Sequence, residues 1–276
     1  MTAAKQQGTA VDFAGLYPRL TERDIAIVDA LAVHKILTAP MITAIWFTSE
    51  WTARQRILTL TELGVLARFR PGHRAAYRYT LGEWGHAIWA MRNAEKPPTR
   101  QWCSWQMQRL AVSRHRAHLE AVNAFAACLH ADARHSGGVF TIAQWLAETE
   151  AAEACSGQLR PDAGYVLKWR GGPELRAWHE HDTGTETHTQ LIAKLRRYVR
   201  YRPLDGGRSR TVLFTLPSRA REDHFHAGAA REALEFPVAT ALTTEAGARP
   251  TGSHWRLIGY GKRLTLAEIA HRSELP

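Results

Sequence analysis

Two short apolar-rich runs, 159–169 and 175–182, flank Gly171-Gly172-Pro173, and this pairing constrains the fold more than any other stretch of the chain. Such a turn signal between two strand-like runs reads as a β-hairpin. Its acids are placed by period. Asp162 lies on the first strand, and Glu180 and Asp182, two apart on the second, point to one face. If the three turn residues close the hairpin, Arg170 pairs with Glu174 and Asp162 sits opposite Asp182. Three acids then share one face, where like charges repel unless a cation or protons offset them. Oxygen ligands of this kind suit a divalent ion such as Mg2+, which makes Asp162, Glu180 and Asp182 the candidate metal ligands.

At 276 residues the chain exceeds the usual single domain, and 45% hydrophobic residues supply enough apolar material for two cores. A formal charge of +10 favours a polyanionic partner, with nucleic acid ahead of an anionic membrane surface. No apolar run reaches the roughly 18 residues of a membrane span, and no signal-peptide core is present at the N-terminus. Cys103, Cys128 and Cys155 are too few and too scattered for a disulfide framework or a zinc pair, so a reducing cytoplasm is the expected location. The basic charge is clustered. Arg54, Arg56, Arg68, Arg70, Arg74 and Arg78 face only Glu62, and the basic residues from Lys194 to Arg210 face only Asp205.

Residues 1–16 carry no period and read as a disordered arm. Thr21 with Asp24 resembles a capping box, opening a helix over 21–35. Thr38 caps a second over 39–46, and Thr48 or Ser49 a third over 50–63, which Gly64 ends. Residues 65–70 and 76–81, joined through Pro71-Gly72, read as the two strands of a wing. Three helices and a two-stranded wing give the winged helix-turn-helix order over 17–92, and Glu62-Leu63-Gly64-Val65-Leu66 resembles the end of the third helix in bacterial winged-helix regulators. That architecture places Glu50, Trp51, Thr52, Arg54, Gln55 and Arg56 in the major groove of double-stranded DNA, with Arg68, Arg70, His73, Arg74 and Arg78 against phosphates or a minor groove. Residues 93–103, with Pro97-Pro98, read as a linker. A long helical pattern over 104–135 and alternating strands and helices then describe a mixed-sheet α/β domain over 104–276.

The order helix–β–β(Asp)–β(Glu-x-Asp)–helix–β over 116–216 resembles the PD-(D/E)XK nuclease superfamily, a restriction-endonuclease-like fold. Pro161-Asp162 stands as the "PD" and Glu180-His181-Asp182 as the "(D/E)xK". The resemblance implies that the acids hold Mg2+ and sharpen a water nucleophile. Asp182 stands where lysine is expected. Gln190, Lys194 and Tyr198, four apart on the next helix, offer a substitute: Lys194 completes the candidate catalytic set of Asp162, Glu180 and Asp182, or grips the DNA backbone with Arg197 and Tyr201.

A second resemblance covers about 20–220. Leu20-Thr-Glu-Arg-Asp-Ile, the arginine-rich third helix, His118-Leu119…Asn123, Arg160-Pro161-Asp162, Glu180-x-Asp182-x-Gly184-Thr185-Glu186, Lys194…Tyr198 and Val212-Leu-Phe…Pro217-Ser218 are similar, in that order, to the replication-relaxation family of bacterial plasmids and integrative elements. It implies a role in replication or relaxation of mobile-element DNA, with a relaxase or replication protein, or a second copy of the chain, as partner. Two functions stay open: DNA binding with Mg2+-dependent cutting or nicking, and a transcriptional or replication-initiation factor whose second domain is an inert dimerisation or docking module.

Two histidine patterns compete less well. His179 and His181 share a strand face opposite Glu180 and Asp182, which weakens a four-ligand transition-metal site. His224-Phe225-His226 has the spacing of rolling-circle nickases, which present it on a strand, but here it falls in a helical pattern. Trp102, Trp105, Trp145, Trp169 and Trp178 read as core anchors ahead of base-stacking platforms.

Overall fold

The computed structural model describes residues 13–202 and 210–274, so residues 1–12 of the arm expected over 1–16 and part of the second basic cluster lie outside the described residues, while residues 13–16 form a helix with Leu16 buried. The chain divides into two compact units, 1–116 and 117–276.

The first unit runs α1 (Phe13–Leu16), a 3-10 turn (Tyr17–Arg19), α2 (Glu22–His34), β1 (Leu37–Thr38), α3 (Ala39–Trp46), α4 (Glu50–Glu62), β2 (Leu66–Phe69), β3 (Arg78–Leu81), α5 (Glu83–Arg92) and α6 (Arg100–Val112). Its helix starts follow local chemistry. Thr21 and Asp24 form a reciprocal capping box, and Thr38 and Ser49 each accept a backbone N–H at the head of their helices. Gly64, at φ 70°, ends α4 in the left-handed conformation that glycine reaches most cheaply. Ile27, Val28 and Leu31 of α2, Met41 and Ile42 of α3, and Ala53, Ile57 and Leu60 of α4 are buried. The strands pair β1–β3–β2, all antiparallel.

The elements not expected here include α1 in the arm, β1, which adds a third strand, and α5, and α6 begins at Arg100, inside the linker expected over 93–103. Two glycines conceal α5 in the sequence. Gly82 and Gly85 bring its first turn against the β2 backbone, where a Cβ on Gly85 would stand 2.2 Å from the Val65 carbonyl oxygen. Gly85→Ala is therefore expected to lower the unit's stability by about 2 kcal/mol through overpacking, although alanine is the better helix former. A thermal melt that rises on this substitution would refute the close approach. The helical pattern expected over 104–135 is divided, because Ser113 turns extended (φ −63°, ψ 130°) and accepts the His115 N–H at 3.2 Å. α6 therefore belongs with the first unit.

The second unit runs α7 (Arg116–His135), β4 (Phe140–Ala147), α8 (Glu148–Ala154), β5 (Ala163–Trp169), β6 (Glu174–His181), α9 (His188–Arg200), β7 (Thr211–Leu216), α10 (Arg219–Ala229), β8 (Val238–Leu242), α11 (Thr243–Ala248), β9 (Trp255–Leu257), β10 (Arg263–Leu264) and α12 (Leu266–Glu274). A seven-stranded mixed sheet orders these strands β10-β9-β8-β7-β6-β5-β4, with β6–β7 and β7–β8 parallel. One face packs Tyr165, Leu167, Ala177 and Leu213 with Val122, Phe125 and Leu129 of α7 and Ile269 of α12. The other packs Trp178, Val212, Phe214 and Val238 with Leu191 and Leu195 of α9 and Phe225 of α10.

The hairpin register corrects one expectation. Ala163 pairs with His179 and Lys168 with Glu174, which brings Asp162 level with Glu180 instead of Asp182. The three-residue loop is Arg170-Gly171-Gly172, one position earlier than expected. Gly171 supplies the positive φ of 64°, and the Trp169 N–H bonds the Pro173 carbonyl, so Pro173 already pairs across the hairpin one residue ahead of β6.

Candidate functional site

The polar site of the second unit forms where β5 begins and β6 ends. Asp162 and Glu180 stand side by side there, with α7 contributing His118 and α9 contributing Lys194 and Tyr198. Four-residue spacing puts Lys194 and Tyr198 on the inward face of α9, in line with the buried Leu191 and Leu195. Both oxygens of Asp162 are taken: His118 Nε2 lies 3.0 Å from Oδ1, and the His181 N–H donates to Oδ2 at 2.7 Å. Glu180 accepts at Oε1 only, and its buried Oε2 has a cation beside it but no hydrogen-bond donor. The Tyr198 hydroxyl donates to Oε1, and Lys194 Nζ lies 2.7 Å from Oε2.

The electrostatics follow from burial and these partners. Burial, reinforced by the neighbouring Asp162 charge, pushes the Glu180 carboxyl up to about 7. Burial also opposes the charge on Asp162, but His118 and Lys194 outweigh it and hold that carboxyl below the ordinary range. On Lys194, burial is outweighed by Glu180 and Asp162, and the ammonium is held above its usual value. The hydrogen bond to Asp162 raises His118. The Tyr198 hydroxyl, buried against Glu180, is raised far above its ordinary value and stays a donor.

Asp182 is placed differently. It follows the end of β6, where Arg221 of α10 binds both carboxylate oxygens, at 2.9 Å for Nη2 to Oδ1, and the Gly184 N–H caps Oδ1 at 2.9 Å. Gln190, expected along the Lys194–Tyr198 face, instead closes a capping box with Thr187 at the head of α9. Among the described residues, no group of three or more His, Cys, Asp or Glu side chains is gathered as metal ligands. Mg2+ asks for one or two carboxylates with oxygens open to it and keeps several of its waters. Each oxygen of Asp162 and Asp182 has a protein donor and Glu180 Oε1 accepts from Tyr198, while Glu180 Oε2, which has no hydrogen-bond donor, faces the Lys194 ammonium at 2.7 Å, so these residues do not fit a divalent ion as arranged.

The histidine patterns resolve as packing. His179 and His181 turn to the other sheet face and converge on the Thr215 hydroxyl at 3.0 and 2.9 Å. His224-Phe225-His226 lies on α10, where His226 bonds Thr240 and His224 is exposed.

In the first unit, α4 turns Trp51 (72% exposed), Thr52, Arg54 and Gln55 to solvent. Arg56 departs from the expected set: Nε bonds Asp24 Oδ1 at 2.9 Å and Nη2 bonds the Arg19 carbonyl at 2.9 Å. Beside α4, the β2–β3 hairpin carries Arg68 and Arg70, whose guanidinium groups lie 4.3 and 4.0 Å from the Tyr77 ring centre, and the exposed His73 and Arg74. Arg78 is half-buried and bonds the Ala76 carbonyl. Of the tryptophans, Trp178 is buried, while Trp102 and Trp105 are 40% and 50% exposed.

His118 and Arg221 are the site residues that sequence reasoning left out of its set. His118 was visible only as part of an ordered motif; Arg221, 39 residues from Asp182, gave no local signal. The family model for replication-relaxation proteins matches residues 29–214. Neither the curated proteins nor the solved structures contain a match to the chain.

Proposed function

The chain belongs to the replication-relaxation family, and from that premise we propose that it is a sequence-directed binder of double-stranded DNA acting in replication or relaxation of plasmid or mobile-element DNA. One observation carries the reading: α4 buries Ala53, Ile57 and Leu60 and presents Trp51, Thr52, Arg54 and Gln55 outward, next to an arginine-bearing hairpin. On this reading the first unit is a winged helix. Arg54 carries the paired donors that suit a guanine edge and Gln55 the donor and acceptor that suit an adenine edge, while Arg70 and Arg74 of the wing supply salt-dependent attraction to phosphates.

The test uses a duplex selected from a random pool by the full-length protein. Arg54→Ala with Gln55→Ala should weaken binding roughly 10- to 100-fold for the selected duplex and erase its preference over a scrambled one. Arg70→Ala with Arg74→Ala should weaken both duplexes alike and lower the salt slope by about one for each phosphate that is no longer neutralised. Unchanged affinity and slope in both variants would refute the assignment.

We read the second unit, whose α7–β4–β5–β6–α9–β7 order with α8 inserted resembles the PD-(D/E)XK order, as a nuclease-derived module that docks a relaxase, a replication protein or a second copy without cutting. The support is that Asp162 and Glu180 Oε1 accept protein donors and that the Lys194 ammonium faces Glu180 Oε2. The juxtaposition of Asp162, Glu180 and Lys194 favours the rival reading of Mg2+-dependent nicking. Supercoiled plasmid with Mg2+ or Mn2+ separates the two. Wild type and Asp162→Ala/Glu180→Ala should behave alike, and nicking by wild type alone would establish the enzyme.

A further inference from the structure

We propose that Lys194 is the resident cation of the Asp162–Glu180 pair, its ammonium taking the charge-compensating role that a divalent ion plays between paired carboxylates, so that the site accepts such an ion only when Lys194 is neutralised. The inference deepens the non-cleaving reading and rests on it only for the arrangement of the two acids; metal affinity and strand nicking are measured separately.

Three observations carry it. The first is the donor count. His118 and the His181 N–H hold Asp162, Tyr198 holds Glu180 Oε1, and Oε2, which has no hydrogen-bond donor, faces the Lys194 ammonium at 2.7 Å, so an entering ion must displace a donor or the ammonium before it reaches an oxygen. The second is charge. Two acids, of which Glu180 is 3% exposed at its side chain, are balanced by Lys194 and by His118 when that imidazole is protonated. A dication beside the ammonium would meet like charge in a site that water screens poorly. The third is anchorage. Lys194 projects from the face of α9 that Leu191, Leu195 and Tyr198 bury against the sheet, and its own side chain is 25% exposed, so the helix delivers the ammonium to the acids. A lysine poised for catalysis beside bound metal would leave at least one oxygen of the pair to the metal. This lysine takes it.

The experiment compares full-length wild type, Lys194→Met and Lys194→Arg. Free Mn2+ is followed by electron paramagnetic resonance, and thermal melts are run with EDTA or with MnCl2. Wild type and Lys194→Arg should leave equimolar Mn2+ free, with melts that do not move on adding it. Lys194→Met keeps the stem but not the charge. It should melt lower in EDTA, regain several degrees with Mn2+, and bind one ion that Glu180→Gln in the same background abolishes. Wild type that binds Mn2+ and loses it on Glu180→Gln overturns the proposal, as does a folded Lys194→Met that ignores the metal. Should Lys194→Met fail to fold, wild type and Lys194→Arg decide alone, since Mn2+ bound by either and lost on Glu180→Gln contradicts a resident ammonium, and Mn2+ left free by both supports it.

Discussion

Arg56→Met is expected to lower the melting temperature of the first unit by about 15 °C, while DNA affinity measured below that transition stays near wild type. Asp24 is completely buried, and Arg56 is its charged partner. Burial works against the Asp24 charge, but Arg56 and Thr21 outweigh it and hold the carboxyl below its ordinary value. Removing the guanidinium strands a buried carboxylate, at a cost of about 3 kcal/mol. Methionine keeps most of the stem packing, so the loss reports charge more than volume. The second half of the expectation separates two roles that the sequence merged. Arg54, exposed on the same helix, is the matched control: Arg54→Met should leave the melt unchanged and weaken DNA binding. If Arg56→Met binds DNA as poorly as Arg54→Met while fully folded, Arg56 touches DNA after all.

Arg56 also shows where the sequence was legible and where it was read too loosely. Ala53, Ile57 and Leu60 form the buried stripe of α4, and Arg56 stands three residues after Ala53 and four before Leu60, on that stripe. The period pointed it inward; its charge suggested the outside. Features set by neighbours in sequence were readable: the caps at Thr21, Thr38 and Ser49, the left-handed Gly64, and the Lys194–Tyr198 face. Features set by distant packing were not. The one-residue displacement of the hairpin loop depends on which glycine takes positive φ, and it moved Asp162 from Asp182 to Glu180. The Arg221 clamp on Asp182 requires α10 to return over the end of β6, which no local pattern announces. Helix α5 was concealed because Gly82 and Gly85 look like breakers until the Val65 carbonyl occupies the space a Cβ would need.

His226→Gln should narrow the stability difference from wild type by about 2 kcal/mol between pH 7 and pH 5. His226 is 9% exposed, and its Nε2 lies 2.8 Å from the Thr240 hydroxyl oxygen. That hydroxyl donates to Glu222 Oε1 at 2.7 Å, so it can only accept from His226, which assigns the proton of the neutral ring to Nε2. Burial pushes the imidazole down to about 4; Arg256 adds to the shift, and Asp223 opposes it. The folded value lies below the unfolded one near 6.5, so between pH 6.5 and 4 the unfolded chain takes up a proton that the folded chain refuses. The stabilisation is whole above about pH 6.5 and is lost as the pH falls toward 4. Glutamine can still donate to Thr240 but does not titrate, so it carries a fixed cost at pH 7 and escapes the acid loss that wild type suffers. Taking the difference between two otherwise identical proteins cancels His179, which burial pushes down to about 3, and Glu180, whose raised carboxyl contributes with the opposite sign. Urea unfolding of the second unit at both pH values reads the effect directly. A difference that stays constant from pH 7 to 5 would mean that His226 ionises in the folded protein as readily as in the unfolded chain.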